Sequence, residues 1–234
     1  MYYDLHIHSC LSPCGDRDMS VNNIVHMARL KELDIIALTD HNTAKNCPAF
    51  LKVAQKAGIL ALSGMEINTA EEVHAVCLFT QLEQALAFDE YVAERLPPIL
   101  NDPAIFGEQL ILNEHDEVTG SVDKLLINAS SISFFELEAL MQRFGGVYFP
   151  AHIDKSTFSL LSNLGFVPQE CVMDAYELAD VSKKSGIIES NPLLADLPLL
   201  KNSDAHYLWD ISEAENRLDE DFLALLRQKG LCEG

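Results

Sequence analysis

The chain has 234 residues, enough for one large α/β domain or, less easily, two small ones, and its 48% apolar content supplies a sizeable core and argues against disorder. A formal net charge of −20 opposes a long nucleic-acid footprint and anionic membranes, though not a small phosphorylated substrate. No run approaches the roughly 18 apolar residues needed to cross a bilayer, so no membrane partner is expected.

Residues Met1 to His6 lack a basic region followed by an apolar one, so no secretion signal is expected. The scattered cysteines Cys10, Cys14, Cys47, Cys77, Cys171 and Cys232 then read as reduced thiols of a cytoplasmic protein. Cys10 and Cys14 have no second CxxC-like pair to complete a zinc site. Tyr3 to His8 alternates and reads as a strand. Ser20 to Leu33 reads as a helix with Ser20 as N-cap. Asp34 to Thr39 is a short buried strand, and Lys45 to Ala57 a helix ended by Gly58. Ile59 to Asn68 and Val73 to Phe79 are strands, and Gln81 to Arg95 is a helix stopping before Pro97. The stretch from Pro97 to Ser130 breaks the pattern and is read as a lid or small insertion in a single domain spanning residues 1–234. Beyond it the alternation resumes. Ser133 to Phe144 is a helix with a capping-box pattern at Ser133 and Glu136. Val147 to His152 is a strand and Ser156 to Leu164 a helix. Val172 to Leu178, Gly186 to Glu189 and Pro198 to Ser203 are short strands, and a helix from about Asp219 to Lys229 closes the chain. Strand–helix alternation with buried strands implies a parallel sheet flanked by helices, open or closed as a barrel. A barrel is favoured because His, Asp and Glu fall at the C-terminal ends of strands, where such barrels build their sites.

Of the eight histidines, His6, His8, His41, His74, His152 and His206 end or follow a strand; His26 and His115 read as surface residues. In His6-Ile7-His8, alternate residues share one face of a strand, so both imidazoles point to one side. Asp40 and His41 end the second strand and Glu66 the third. His74 begins the next, His152 follows Phe149-Pro150-Ala151, and Asp204 and His206 follow the last apolar run. Imidazole nitrogens with carboxylate oxygens suit Zn²⁺, Mn²⁺ or Fe²⁺. GxGxxG, the Gly-Lys-Ser/Thr phosphate loop, GxSxG and HExxH are absent from the sequence.

His6-Ile7-His8-Ser9, Thr39-Asp40-His41, Glu66 with His74, Pro150-Ala151-His152 and Ser203-Asp204-Ala205-His206 resemble, in order and spacing, the successive motifs of the PHP (polymerase and histidinol phosphatase) family. The resemblance runs from residue 3 to about 210. It implies a distorted (β/α)7 barrel with its metal site at the C-terminal ends of the strands and up to three ions. By that resemblance His6, His8, Glu66 and Asp204 would hold the first ion. Glu66 would bridge to a second held by His74 and His152. His41 and His206 would hold a third, with an acidic or His ligand from the loop after the HxH motif. There the sequence departs from the family's Ser-Asp-Gly. Counting back from Ser20 puts Asp16 in register, with Asp18 the alternative and Cys14 behind it.

These residues point to hydrolysis of a small phosphomonoester or nucleotide by a metal-bridging hydroxide. Glu66, Asp204, His206 and Asp40 form the catalytic set, with Asp40 orienting His41 or another ligand. A cation should meet the phosphate: Lys155 first, Arg17 second, with Lys45 further off. An amidohydrolase is the competing enzyme reading, although no lysine ends a strand where a bridging carboxylated side chain would be needed. A non-catalytic metal-stabilised module supporting a partner is the other. Long nucleic acid is not the expected substrate, and the sequence leaves the oligomeric state open.

Overall fold

Two β–α–β units begin the chain, which a computed structural model describes over residues 1–231. Strand β1 (Tyr3–Ile7) is buried throughout and pairs in parallel with β2 (Ile35–Leu38), which pairs in parallel with β3 (Leu60–Asn68). The first crossover is α1 (Val21–Leu30), where the Ser20 hydroxyl accepts from Asn23 N and caps the first turn. The second is α2 (Cys47–Ala57), which stops at Gly58 in the left-handed conformation (φ 72°) that glycine adopts without penalty.

The pattern then reverses. Strand β4 (His74–Phe79) runs antiparallel to β3, with Asn68 opposite His74 and Ser63 opposite Phe79. Residues 69–73 are too few for a parallel crossover, which needs roughly a dozen. The uniformly parallel alternation expected from the sequence is therefore broken by a hairpin. After α3 (Leu82–Ala93) comes the segment read above as a lid or insertion. It holds a single turn, α4 (Pro103–Phe106), and a two-stranded hairpin, β5 (Leu110–Leu112) with β6 (Val118–Ser121). Asn46 clamps this arm, accepting from Leu112 N at 2.9 Å and donating to Leu110 O at 3.2 Å. Its Asp116 carboxylate reaches Ser20 Oγ and Asn22 N at the start of α1.

Helix α5 (Leu137–Phe144) follows a turn bearing the expected Ser133–Glu136 capping box, and leads into β7 (Val147–Pro150), antiparallel to β4. The large sheet is thus mixed, a curled five-strand half-barrel of order β1-β2-β3-β4-β7. After the short α6 (Leu160–Asn163), β8 (Tyr176–Glu177) pairs in parallel with β9 (Leu199–Leu200) as a separate small sheet. Backbone bonds tie that region to both edges of the large sheet. Asp174 N donates to Tyr148 O and Ile153 N to Glu177 O; on the far side His8 N donates to Ala205 O at 3.0 Å. The expected strand at Gly186 to Glu189 is instead part of α7 (Lys184–Ser190). Two adjacent isoleucines fit either state, and the preceding turn, capped by Asp180, starts the chain helically. Helix α8 (Glu220–Gln228) ends the described fold.

Alternation along the strands feeds two apolar clusters. One joins Ile36, Met65 and Cys77 to α1, α2, α3 and α5; the other joins Leu5, Ala37, Val76 and Phe149 to Phe222, Leu223 and Leu226 of α8. His26 and His115 are exposed, as expected.

A candidate metal centre around Glu66

Glu66, near the end of β3, is fully buried, and five histidine nitrogens surround its two oxygens. His6 Nε2 lies 3.3 Å away, His8 Nε2 3.3 Å, His41 Nδ1 3.0 Å, His74 Nδ1 2.9 Å and His152 Nε2 3.2 Å. Asp204 adds a second carboxylate: its Oδ1 is 3.4 Å from His6 Nε2 and 3.2 Å from His8 Nε2. His206 stacks on His8 with ring centroids 4.2 Å apart. Eight of the nine expected ligands therefore meet in one place.

Several of these atoms have no hydrogen-bond partner although they are buried: His41 Nδ1, His74 Nε2, His152 Nδ1, Glu66 Oε2 and Asp204 Oδ1. Orphaned buried donors and acceptors cost about 1–3 kcal/mol each. Ligand atoms held roughly 2.0–2.2 Å from a shared ion necessarily lie about 3 Å apart, the spacing seen here. Among the described residues three groups of side chains are close enough to hold an ion: His6, His8, Glu66 and Asp204; His41, Glu66 and His74; and His8, His41 and His206. The donor set and the unpaired atoms both fit divalent cations. His152 touches Glu66 but falls outside these groups, and His41 and His8 each enter two, a sharing that strand ends alone do not reveal.

The ring orientations are set from behind. Glu177, buried on β8, accepts from His6 Nδ1 at 3.1 Å, from His152 N at 2.9 Å and from Asn202 Nδ2 at 2.7 Å. That leaves His6 Nε2 as the free lone pair. His8 Nδ1 pairs with Ser12 Oγ at 3.0 Å, and His206 Nδ1 with the carbonyl of Asp204 at 2.7 Å. Asp40 accepts from Ser9 N, Ser9 Oγ and Ser12 Oγ, each at 2.7 Å. It therefore steadies His8 through Ser12 and does not contact the ring of His41. Asp4, also buried, accepts from Ser203 N and Ser212 N and so anchors both ends of the segment carrying Asp204 and His206. His152 and Asp204 take left-handed backbone angles (φ 30° and 52°), a strain of order 1–3 kcal/mol that concentrates at functional sites.

The electrostatics follow from crowding. Burial opposes charge on Glu66, but His74, His6 and His41 outweigh it and hold the carboxyl well below its usual range. Burial likewise opposes the charged form of His8 and His41. The nearby carboxylates of Asp204 and Glu66 beside His8, and the charge of Glu66 on His41, carry both to about 9. His206 is pushed down to about 3 by burial and by neighbouring His8.

The remaining predicted residues divide. Lys155 places Nζ 2.5 Å from Asp204 Oδ2, at the rim of the cluster. Arg17 instead turns outward to Glu108 of the 97–130 arm at 2.6 Å, an exposed pair of small energetic weight. Lys45 is taken by Asp89. Asp16 lies beside the cluster through its backbone, N donating to His206 O at 2.9 Å, but its carboxylate accepts from Asp18 N and joins none of the groups. Glu177, Ser12 and Asn202 escape sequence reading. For Glu177 a signal was present, an acidic residue inside the apolar run from Val172 to Leu178.

The sequence profile of the PHP domain matches residues 4–160. The chain is 30% identical over 101 residues to the uncharacterized protein MJ1587 of Methanocaldococcus jannaschii; the match covers 39% of this chain and 59% of that protein, under two thirds of its length. Its fold is similar to that of a protein from Bifidobacterium adolescentis provisionally described as a metal-dependent phosphoesterase (TM-score 0.65, 19% identity, 98% and 96% of the two chains covered). It is also similar to an amidohydrolase from Chromobacterium violaceum solved with sulfate and no metal (TM-score 0.63, 17% identity, 98% and 97% covered). The lesion-specific endonuclease EndoQ of Pyrococcus furiosus shares the fold at TM-score 0.61 and 21% identity, over 88% of this chain and 48% of that one.

Proposed function

Because this chain belongs to the PHP domain family, we propose that it is a metal-dependent phosphoesterase acting on a small phosphomonoester or nucleotide. The observation that carries the reading is the buried Glu66 carboxylate enclosed by five imidazoles, with Lys155 paired to Asp204 at the rim. His6, His8, Glu66 and Asp204 would hold one ion, and Glu66 with His74 and His152 a second, His41 lying close enough to share it. His41 and His206 would hold a third. Asp16 is the carboxylate proposed to join them, since its backbone is already bonded to His206. Up to three Zn²⁺, Mn²⁺ or Fe²⁺ ions, when bound, would lower the pKa of water and polarise the phosphoryl oxygens.

The chain's own residues supply orientation and charge. Glu177 and Ser12 fix the tautomers of His6 and His8 so that both Nε2 atoms face Glu66 and Asp204. His206 presents Nε2 because its Nδ1–H is held by the Asp204 carbonyl. The Lys155 ammonium spends one of its three donors on Asp204 and keeps the others for phosphate oxygens. The charge of Asp204, once burial is overcome, raises the pKa of Lys155, so it remains cationic at neutral pH.

A lesion-specific endonuclease shares this fold, so the fold itself does not select against nucleic acid. The preference for a small ester rests on the net charge of −20. Against the amidohydrolase reading, the bridging position is filled by Glu66, which leaves no role for a carboxylated lysine. We treat the chain as one PHP-type domain with residues 97–130 as an inserted arm over the loop after β1. Among the described residues no helix is long and apolar enough to cross a membrane.

The test is a screen of phosphomonoesters, nucleotides, short oligonucleotides and simple amides on metal-analysed protein. Phosphate release from monoesters, abolished by chelator and restored by Mn²⁺ or Zn²⁺, is expected. Cleavage confined to oligonucleotides would replace the small-ester reading, and amide hydrolysis without phosphate release would replace the phosphoesterase reading.

A further inference from the structure

The loop after β7 carries an aromatic ring whose exposure runs against the hydrophobic effect. Phe158 stacks on the ring of His74, with centroids 4.9 Å apart and planes 23° from parallel, and is 40% exposed. Phe50, Phe79, Phe88, Phe134, Phe149 and Phe222 are fully buried, while Phe135 and Phe166 are 44% and 56% exposed; Phe158 differs from those two in lying against a ring of the cluster. The backbone of Phe158 is left-handed (φ 52°), a conformation that bulky L-residues rarely adopt. It is held there by its carbonyl, which accepts from His74 N at 3.0 Å. The chain thus departs from both side-chain burial and backbone preference to lay this ring over a side chain of the cluster, and such departures gather at functional sites. Lys155 stands three residues earlier on the same loop, its ammonium on Asp204, and Ser159 Oγ donates to Lys155 O at 2.7 Å. One loop therefore presents a cation and a flat apolar face together.

We propose that Phe158 determines specificity: its open face receives a planar ring carried by the alcohol portion of the ester, while Lys155 meets the phosphate. The proposal rests on the phosphoesterase reading. Aromatic side chains stack on any π-face, so a phenyl group and a nucleobase both qualify, whereas a glycerol moiety offers nothing to stack. The outer face of Phe158 is thereby covered in the bound state, which accounts for its exposure in the free protein.

The test compares native protein with Phe158→Leu, which keeps an apolar side chain but loses the flat face, and Phe158→Trp, which keeps it. With phenyl phosphate and a nucleoside 5′-monophosphate, kcat/KM should fall about ten-fold in the leucine variant, in line with measured stacking contributions. With glycerol phosphate it should change less than about two-fold, and the tryptophan variant should keep the native preference. A second readout needs no turnover: calorimetric binding of phenylphosphonate against methylphosphonate to metal-loaded protein. Native protein should favour the phenyl compound about ten-fold, and the leucine variant should lose that preference. An equal fall for all three esters, or an unchanged phosphonate ratio, overturns the role of Phe158. A phosphonate preference that depends on Phe158 in a protein that hydrolyses none of the esters would uphold the ring site and overturn the phosphoesterase reading.

Discussion

Glu177→Gln exchanges one oxygen of a buried carboxylate for an amide nitrogen and keeps the shape of the side chain. Three donors converge on that carboxylate: His152 N on Oε1 at 2.9 Å, Asn202 Nδ2 on Oε2 at 2.7 Å and His6 Nδ1 on Oε2 at 3.1 Å. A glutamine has one acceptor oxygen, so either orientation sets its amide against a donor. With the amide at the Oε1 position it faces the fixed backbone N–H of His152. At the Oε2 position it faces Asn202, which cannot turn its own amide without losing the bond from Leu5 N to Asn202 Oδ1 at 2.8 Å. One buried donor left unpaired costs about 1–3 kcal/mol. For a domain of this size that lowers Tm by roughly 2–12 °C at about 2–4 °C per kcal/mol. Loosening of His6 adds a functional loss, since partners of this kind typically contribute about 10–100-fold to metal affinity. Chelator competition on native and variant proteins, with melting curves on the metal-free forms, reads both effects. Metal affinity within about two-fold of native, together with an unchanged Tm, would refute the reasoning that Glu177 positions His6.

Titration gives a second expectation. In the metal-free fold, carboxylate neighbours overcome burial and hold His8 and His41 at about 9, above the unfolded value near 6.5. Their stabilising contribution is full below about pH 6.5 and is lost as pH rises through about 9. The Tm of metal-free protein should therefore fall between about pH 6.5 and 9, while metal affinity rises over the same window because bound protons must leave; a flat or rising metal-free Tm would contradict this. For Lys155→Ala, kcat/KM on the best monoester should drop about ten-fold or more with metal content intact, the size of one charge-assisted hydrogen bond. Unchanged kinetics would return Lys155 to the role of an exposed ion-pair partner of Asp204.

Much of the site was readable because period-two alternation and strand ends are local features. His6 and His8 on one strand, and acidic or His residues at the ends of apolar runs, are enough to bring eight of the nine proposed ligands together. What stayed hidden depends on tertiary pairing. The reversal of β4 follows from a connection too short for a crossover, yet His74 reaches Glu66 all the same, because an antiparallel neighbour sets its first residue opposite Asn68 at the end of β3. Glu177 lies 171 positions from His6 and meets it because the β8–β9 region bonds to both edges of the large sheet, Asp174 N to Tyr148 O on β7 and Leu5 N of β1 to Asn202 Oδ1. The loop from Ser9 to Asp18 was legible only as a departure from the family pattern. Its shape depends on tight backbone approaches, such as Gly15, where any Cβ would fall 2.1 Å from Ser9 O. Arg17 was misplaced because nothing local announces that Glu108, 91 residues on, would take its charge.

The central claim is that Glu66 sits between metal ions, and it is tested most directly by elemental analysis of native protein beside Glu66→Ala. More than one transition-metal ion per chain is expected in the native protein, and a larger loss in Glu66→Ala than in any single histidine variant, because this carboxylate touches five of the proposed ligands. A native protein that carries no metal and takes up none from Mn²⁺ or Zn²⁺, or a Glu66→Ala variant with native metal content, would contradict the account.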